Sequence, residues 1–260
     1  MHVFSQKEYL LFSLVVISII FLLAVSLHEE QYPIIENYVY PTDILFMIIP
    51  PIALILSSIL AIRFGITGSH AISWIAFTVG IAFWIIGDQT FTYDVEYKIE
   101  DVSTYVSDLF YFAGYSSFFI FIVFYLKPRK NKITKKIVLL SALVSLSVTV
   151  PGLYFIHDKP IENNLEVTIN VMYIILDCVI LTPSLIAIIL FFRGVVNLLW
   201  ISIMIGLICE VIGDTIFLIE KYNKTFIPGS VEEIFLLWAY IFFIYGIYDQ
   251  IKLFKITKKQ

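Results

Sequence analysis

The chain has 260 residues, of which 60% are hydrophobic and 15% charged, with a net charge of −4 and a mean hydropathy of +0.91. Soluble domains contain about 25% charged residues and are under half apolar, so this composition excludes a water-soluble globular protein. No nucleic-acid partner is expected.

Eight long apolar runs divide the chain. A helix needs about 20 apolar residues to cross the hydrocarbon core, and runs without period-two alternation indicate helices rather than strands. The segments between the runs are shorter than the roughly 50 residues of an independent domain, so we expect no appended kinase, cyclase or nucleotide-binding domain. The predicted transmembrane helices are residues 9–27, 43–62, 68–91, 106–126, 137–156, 167–192, 196–219 and 232–249.

Charged residues are distributed unevenly among the connecting segments. Thirteen of the 17 lysines and arginines lie in segments 1–8, 63–67, 127–136, 193–195 and 249–260. Fifteen of the 21 acids lie in the alternate segments 28–43, 92–108, 157–166 and 220–233. Lysine and arginine concentrate on the cytoplasmic side of a membrane protein. The distribution therefore predicts a multi-pass protein of the cell membrane with both termini in the cytoplasm.

Two passages of the sequence are repeated. The passage Trp74-Ile-x4-Gly-x6-Gly-Asp-x2-Phe91 returns 126 residues later, ending at Phe217. Asp108-Leu-Phe-x4-Tyr115 recurs 125 residues later as the similar passage Glu233-Ile-Phe-x4-Tyr240. Repeats of four spans each would cross the membrane in the same sense. The predicted fold is an all-α polytopic membrane protein with eight transmembrane helices in two parallel four-helix repeats. The repeats are residues 1–130 and 131–260.

Four acids lie within predicted spans that contain no lysine or arginine: Asp88, Asp177, Glu210 and Asp214. A charge at bilayer depth costs at least about 2.5 kcal/mol, so such carboxyl groups face the interior of the bundle, water, a cation or a proton. Asp214 follows Glu210 by one helical turn, and Asp88 is the counterpart of Asp214 in the first half.

The positions of these acids predict an acidic pocket that opens outward. Asp177 lies nine residues after position 168 and Glu210 nine residues before position 219, near the outer ends of their predicted helices, which is about 13 Å of depth. Aromatic rings attract cations, so the aromatic residues of neighbouring spans are candidate walls of a site for a proton, a cation or an amine. They are Tyr111, Tyr115, Trp238 and Tyr240, with Asp108, Glu232 and Glu233 near the rim.

The acids also admit a structural interpretation. A Gly-Asp pair near the end of a helix, as at Asp88 and Asp214, can hydrogen-bond a neighbouring helix without binding a ligand. A functional role is the preferred interpretation for the deeper Asp177 and Glu210. No cofactor and no metal ion are expected, because the histidines lack ligand spacing such as HExxH.

Four passages resemble a known family. They are similar to the eight-span membrane input regions of archaeal and bacterial sensor histidine kinases and diguanylate cyclases, including stand-alone archaeal versions. The resemblance covers essentially the whole chain and implies a signal-input or ligand-sensing module, which would need a separate signalling protein at the cytoplasmic face. The passages are Trp74-Ile-x-Phe-x2-Gly-x3-Trp-x2-Gly-Asp88, Asp108-Leu-Phe-Tyr-Phe-x-Gly-Tyr115, Leu176-Asp-x2-Ile-x2-Pro183 and Trp238-x-Tyr-x2-Phe-x2-Gly-x-Tyr-Asp249.

A second resemblance is to eight-span lysoplasmalogenase-type membrane hydrolases, which also have Gly-Asp on a helix followed by an aromatic, glycine-containing span. It implies that Asp88 and Asp214 are an acid–base pair that hydrolyses a lipid head-group linkage.

Three functions are therefore open: a sensor-like ligand-binding module, an intramembrane lipid hydrolase and a small cation or amine transporter. The chain has no GxSxG motif, P-loop or glycine-rich dinucleotide motif, which favours a non-enzymatic role. Transporters often have inverted repeats, whereas the halves predicted here are parallel, so transport is the least favoured of the three. Membrane lipids are expected partners in each case.

Overall fold

The computed structural model describes residues 14–19, 21–22, 41–96, 105–157, 164–191, 197–223, 225 and 231–257, and all regular structure in these ranges is helical. Helix α1 is described at residues 14–19 and 21–22. The helices that follow are α2 (Pro41–Phe64), α3 (Ser69–Glu96), α4 (Tyr105–Leu126), a 3-10 helix (Lys127–Lys132), α5 (Lys135–His157), α6 (Asn164–Phe191), α7 (Asn197–Asn223) and α8 (Val231–Thr257).

Helices α2 to α8 are long and apolar enough to cross a membrane. The chain is an all-α polytopic membrane protein, and the seven spans predicted between residues 43 and 249 are confirmed as helices, most of which extend a few residues further. The first predicted span, 9–27, lies largely outside the described residues. Prolines occur inside α2, α5 and α6 without ending them, which transmembrane helices tolerate because neighbouring groups satisfy the freed carbonyls.

The helices pack in pairs that correspond under the 126-residue shift. Within each half, α3 packs on α4 as α7 packs on α8, and α2 packs on α3 as α6 packs on α7. Between the halves, α2 packs on α8 and α4 on α6, which are again equivalent pairs. Phe91 and Phe217 occupy equivalent positions, and their ring centroids are 5.9 Å apart. Two quartets related by an axis between α3 and α7 would give this pattern, although the boundary at residue 130 stays a prediction.

Aromatic side chains fill the core between α3, α4 and α8. The buried rings of Phe77, Phe118 and Phe243 have centroids 5.3 to 5.9 Å apart. Glycines make room for two of these rings, because a Cβ at Gly80 would lie 3.0 Å from the Phe118 ring and a Cβ at Gly206 2.5 Å from the Phe243 ring. The close approach of α4 to α3 and of α8 to α7 brings the polar residues of these helices together.

The two ends of the bundle differ in charge. At one end, which we call the basic end, the Arg129 guanidinium of the 3-10 helix lies 4.4 Å from the centroid of the Phe191 ring. The other end, which we call the acidic end, has Asp108, Glu166, Glu232 and Glu233 in the first turns of α4, α6 and α8. Lys221 near the end of α7 pairs with Glu166 there, at 2.9 Å. Apolar side chains on the outer faces of α2 and α5 are exposed and would contact lipid.

Candidate functional site

Asp88 accepts hydrogen bonds from two helices. The hydroxyl of Tyr111 on α4 donates to its Oδ1 at 2.9 Å, and the hydroxyl of Tyr240 on α8 donates to its Oδ2 at 3.3 Å. The preceding Gly87 permits this approach, since a Cβ there would lie 2.9 Å from the Tyr111 ring. Each oxygen of this carboxyl group therefore has its own donor.

Asp177 and Asp214 share a single tyrosine. The Tyr115 hydroxyl lies 2.5 Å from Asp177 Oδ1, and it also contacts Asp214 Oδ2. Asp177 is buried on α6, whereas Asp214 on α7 is partly exposed. One phenol of the first half thus joins two carboxyl groups of the second half.

The tyrosines and aspartates form a reciprocal arrangement across the interface between the halves. Tyr115 and Tyr240 are repeat equivalents, as are Asp88 and Asp214. Tyr115 of the first half contacts Asp214 of the second, and Tyr240 of the second donates to Asp88 of the first. Both Gly-Asp pairs therefore bond neighbouring helices, as the structural interpretation of these two residues expects.

Glu210 is the exception among the four acids. Its side chain is 6% exposed, and no described residue hydrogen-bonds to its Oε1. It lies within electrostatic range of Asp214, Asp88 and Asp177. Buried polar atoms normally have a hydrogen-bond partner. The Glu210 Oε1 is therefore the atom of this cluster that still needs a donor.

The deeper pair of acids lies at one level. Asp177 is 13 residues from Asn164, the first residue of α6, and Glu210 is 13 residues from Asn223, the last residue of α7. At 1.5 Å per residue both are about 20 Å along a helix from the acidic end. Asp214, nine residues from Asn223, is about 13 Å from it.

Sequence reasoning missed two aromatic residues beside the acids. The Trp84 ring lies 5.6 Å from the Tyr115 ring, centroid to centroid, and the Tyr173 ring lies 6.2 Å from it. The Tyr173 hydroxyl also donates to Asp108 at 2.6 Å. Each of the two precedes the intramembrane aspartate of its own helix by four residues, and this spacing puts them on the same helix face. That signal could have identified both.

The structure brings together the four intramembrane acids, Tyr111, Tyr115 and Tyr240. Trp238 is partly buried and packs against Phe235, with ring centroids 5.1 Å apart. Glu232, expected near an open rim, is 1% exposed. Among the described residues, no three Asp, Glu, His or Cys side chains are arranged to hold a metal ion.

Comparison of the chain with protein-family models, with curated proteins and with solved structures gives no match. The resemblance to membrane input regions therefore stays a prediction.

Proposed function

We propose that the protein is an integral membrane, sensor-like module that binds a small organic cation at the acids of α3, α6 and α7. The observation that supports this function is the buried Glu210 carboxyl, whose Oε1 accepts no hydrogen bond from any described residue and which lies beside three further carboxyl groups. An ammonium group would supply both the missing N–H donor and the compensating charge.

The surroundings of the acids suit an organic cation. The Trp84 and Tyr115 rings lie against one another beside the carboxyl groups, and an aromatic face attracts a cation within about 6 Å of its centroid by about 0.5 to 2 kcal/mol. Tyrosine hydroxyls already occupy oxygens of Asp88, Asp177 and Asp214. An alkylammonium ion would place its charged group at Glu210 and its apolar tail among the helices.

Binding at this position would act on the interface between the halves. Tyr115–Asp214 joins α4 to α7, and Tyr240–Asp88 joins α8 to α3. A cation bound at Glu210 also attracts the neighbouring carboxyl groups of Asp88 and Asp214 and so competes with the tyrosine hydroxyls that contact them, which favours an arrangement in which these bonds are longer. A ligand that binds two arrangements unequally shifts their populations, which is the requirement for a sensor. The resemblance to signal-input regions supports the same role.

The basic end is the proposed site of output. Lys127, Lys130 and Lys132 of the 3-10 helix are exposed there, and a separate signalling protein would dock to this surface. The same positive charges support an orientation in the cell membrane with this end and both termini in the cytoplasm.

One observation favours a second function, intramembrane lipid hydrolysis. Asp88 and Asp214 lie within electrostatic range of each other in unequal surroundings, since Asp88 has two tyrosine donors and Asp214 shares one with Asp177. Unequal carboxyl groups can divide the roles of acid and base. Hydrolysis of a lysoplasmalogen by the purified protein, lost in both Asp88→Asn and Asp214→Asn, would support this function, and full activity of either variant would exclude it.

Thermal unfolding of the detergent-purified protein tests the receptor function. n-Butylammonium at ten times its Kd should stabilise the folded state by about 1.4 kcal/mol, a rise in Tm of a few degrees. n-Butanol, which has the same chain and no charge, should give no such rise. Glu210→Gln should lose the effect, and Glu166→Gln, the same change at an exposed position, should keep it. Equal shifts with n-butanol, or in Glu210→Gln, would contradict the proposal.

A further inference from the structure

The tyrosine hydroxyls provide too few protons for the contacts that they make. Four contacts join phenols to the three intramembrane aspartates: Tyr111 and Tyr240 with Asp88, and Tyr115 with both Asp177 and Asp214. Three phenols bring three protons, because each hydroxyl has one. Asp88 is satisfied as an anion by its two donors. The missing proton is therefore at Tyr115, whose single hydroxyl proton can be donated to only one of its two carboxyl partners.

The second contact of Tyr115 requires a proton from the carboxyl side. An ionised carboxylate only accepts hydrogen bonds, whereas a protonated carboxyl donates one, and a phenolic oxygen accepts one. If both aspartates were ionised, one carboxylate oxygen would face the lone pairs of the Tyr115 oxygen. A chain from one carboxyl O–H to the Tyr115 oxygen, and from the Tyr115 O–H to the other carboxylate, satisfies all three groups.

Neighbouring side chains do not supply this proton. The titratable groups beside the Asp177–Tyr115–Asp214 cluster are Asp88 on α3, Tyr173 and Cys178 on α6, Glu210 on α7 and Tyr240 on α8. Tyr173 and Tyr240 donate to Asp108 and Asp88. None of these five groups is a lysine, arginine or histidine, so within the described part of the chain no neighbouring cation balances the negative charge next to the cluster.

We propose that Asp177 and Asp214 hold one exchangeable proton between them through Tyr115, and that an organic cation entering beside Glu210 displaces it. The cation brings one positive charge and the proton removes one, so the net charge of the buried cluster does not change. The proton would leave from Asp214, which is partly exposed and lies nearer to the acidic end than Asp177. The shared proton is a property of the unliganded protein. Only its displacement rests on the proposed function.

Infrared difference spectroscopy of the full chain in lipid nanodiscs at neutral pH tests the shared proton without any ligand. A protonated carboxyl has a carbonyl stretch that a carboxylate lacks, and this band shifts in D₂O. The band should be present in the wild type and lost in Asp177→Asn. Glu166→Gln, which removes an exposed acid close to the start of α6 and away from this cluster, should keep it.

Tyr115→Phe provides a second variant in case Asp177→Asn does not fold. Removal of the shared hydroxyl should move the carbonyl band, because the carboxyl loses its hydrogen-bond partner. Absence of the band in the wild type, or an unchanged band in Asp177→Asn and Tyr115→Phe, would overturn the shared proton.

Calorimetric titration with n-butylammonium tests the displacement. Two buffers of different ionisation enthalpy should give different apparent binding enthalpies, corresponding to release of one proton per bound cation. Equal enthalpies with clear binding would overturn displacement and leave the receptor function intact. No binding, together with a persistent carbonyl band, would reject the receptor function and leave the shared proton established.

Discussion

Glu210 occupies the position in α7 that Trp84 occupies in α3, 126 residues earlier in the chain. Both side chains are buried. The two halves share the equivalent pairs Tyr115–Tyr240 and Asp88–Asp214, whereas the Trp84 indole of the first half is replaced by a carboxyl group in the second. Among the four intramembrane acids, Glu210 is the one whose Oε1 accepts no hydrogen bond from a described residue, so we expect one cation per chain.

Replacement of Glu210 by glutamine should not destabilise the unliganded protein. The amide keeps the shape of the side chain and removes a buried carboxyl group whose Oε1 has no described hydrogen-bond partner, and an uncompensated charge there would cost several kcal/mol. Thermal unfolding without ligand should give a Tm equal to or above that of the wild type. A loss of about 2 kcal/mol or more would instead show that the carboxyl group is a structural hydrogen-bond partner.

Tyr115→Phe should cost more stability than Tyr240→Phe. Loss of the Tyr115 hydroxyl leaves two buried or partly buried carboxyl groups without their shared partner, at a cost of about 2 to 3 kcal/mol. Loss of the Tyr240 hydroxyl leaves Asp88 with its Tyr111 donor, at about 1 kcal/mol or less. Chemical unfolding in detergent would measure both, with Tyr248→Phe on the exposed face of α8 as the control. The reverse order would contradict the assigned contacts.

Gly114→Ala should destabilise the bundle and disturb the site. A Cβ at Gly114 would lie 2.3 Å from Trp84 Cδ1, so the indole beside Tyr115 must move, and overpacking of this kind costs about 1 to 3 kcal/mol. Gly152→Ala is the matched control, because its Cβ would meet the flexible Ile174 Cδ1 at 3.1 Å. Tm measurements should show a clear loss only for Gly114→Ala, whose n-butylammonium response should also weaken.

Glu166→Gln should have little effect on folding. The Lys221–Glu166 ion pair is 2.9 Å long, but the two side chains are 37% and 43% exposed, and exposed pairs contribute about 0 to 1 kcal/mol. Unfolding measurements at low and high salt should give nearly the same small difference from the wild type. A large loss would mean that the acidic end is more enclosed than these exposures indicate.

Cysteine labelling should place the basic end in the cytoplasm. Lys130 and Thr225 are both exposed, the first in the 3-10 helix of the basic end and the second just beyond α7. With Cys178 and Cys209 replaced by serine, a membrane-impermeant maleimide should label Thr225→Cys in intact cells and Lys130→Cys only after the membrane is opened. The opposite pattern would reverse the predicted orientation.

The helices and the approximate positions of the acids could be predicted from the sequence. Apolar length determines a transmembrane helix almost by itself, because the bilayer requires satisfied backbone groups over its whole thickness. The 126-residue repeat also identified Asp88 and Asp214 as counterparts. Proline did not indicate where helices end, since Pro50 and Pro183 lie within continuous helices.

The detailed contacts of the site could not be predicted in the same way. The sequence shows that Tyr115 and Tyr240 are equivalent, but not that each would contact the aspartate of the opposite half. That exchange depends on the packing of α4 against α6 and of α8 against α2, which apolar runs do not specify. The shared use of Tyr115 by two acids depends on the same tertiary geometry.

The reciprocal bonds also have a consequence for membrane insertion, because their partners are synthesised at different times. Asp88 has two tyrosine donors that are synthesised at different times. Tyr111 follows it by 23 residues, in the next helix, whereas Tyr240 follows it by 152 residues. Asp214 is synthesised 99 residues after its partner Tyr115. When α7 enters the membrane, α4 with Tyr115 should already be there. Asp88 and Asp214 therefore each have a tyrosine donor early: Asp88 has one in the next helix of its own half, and Asp214 has one in the half that is synthesised first.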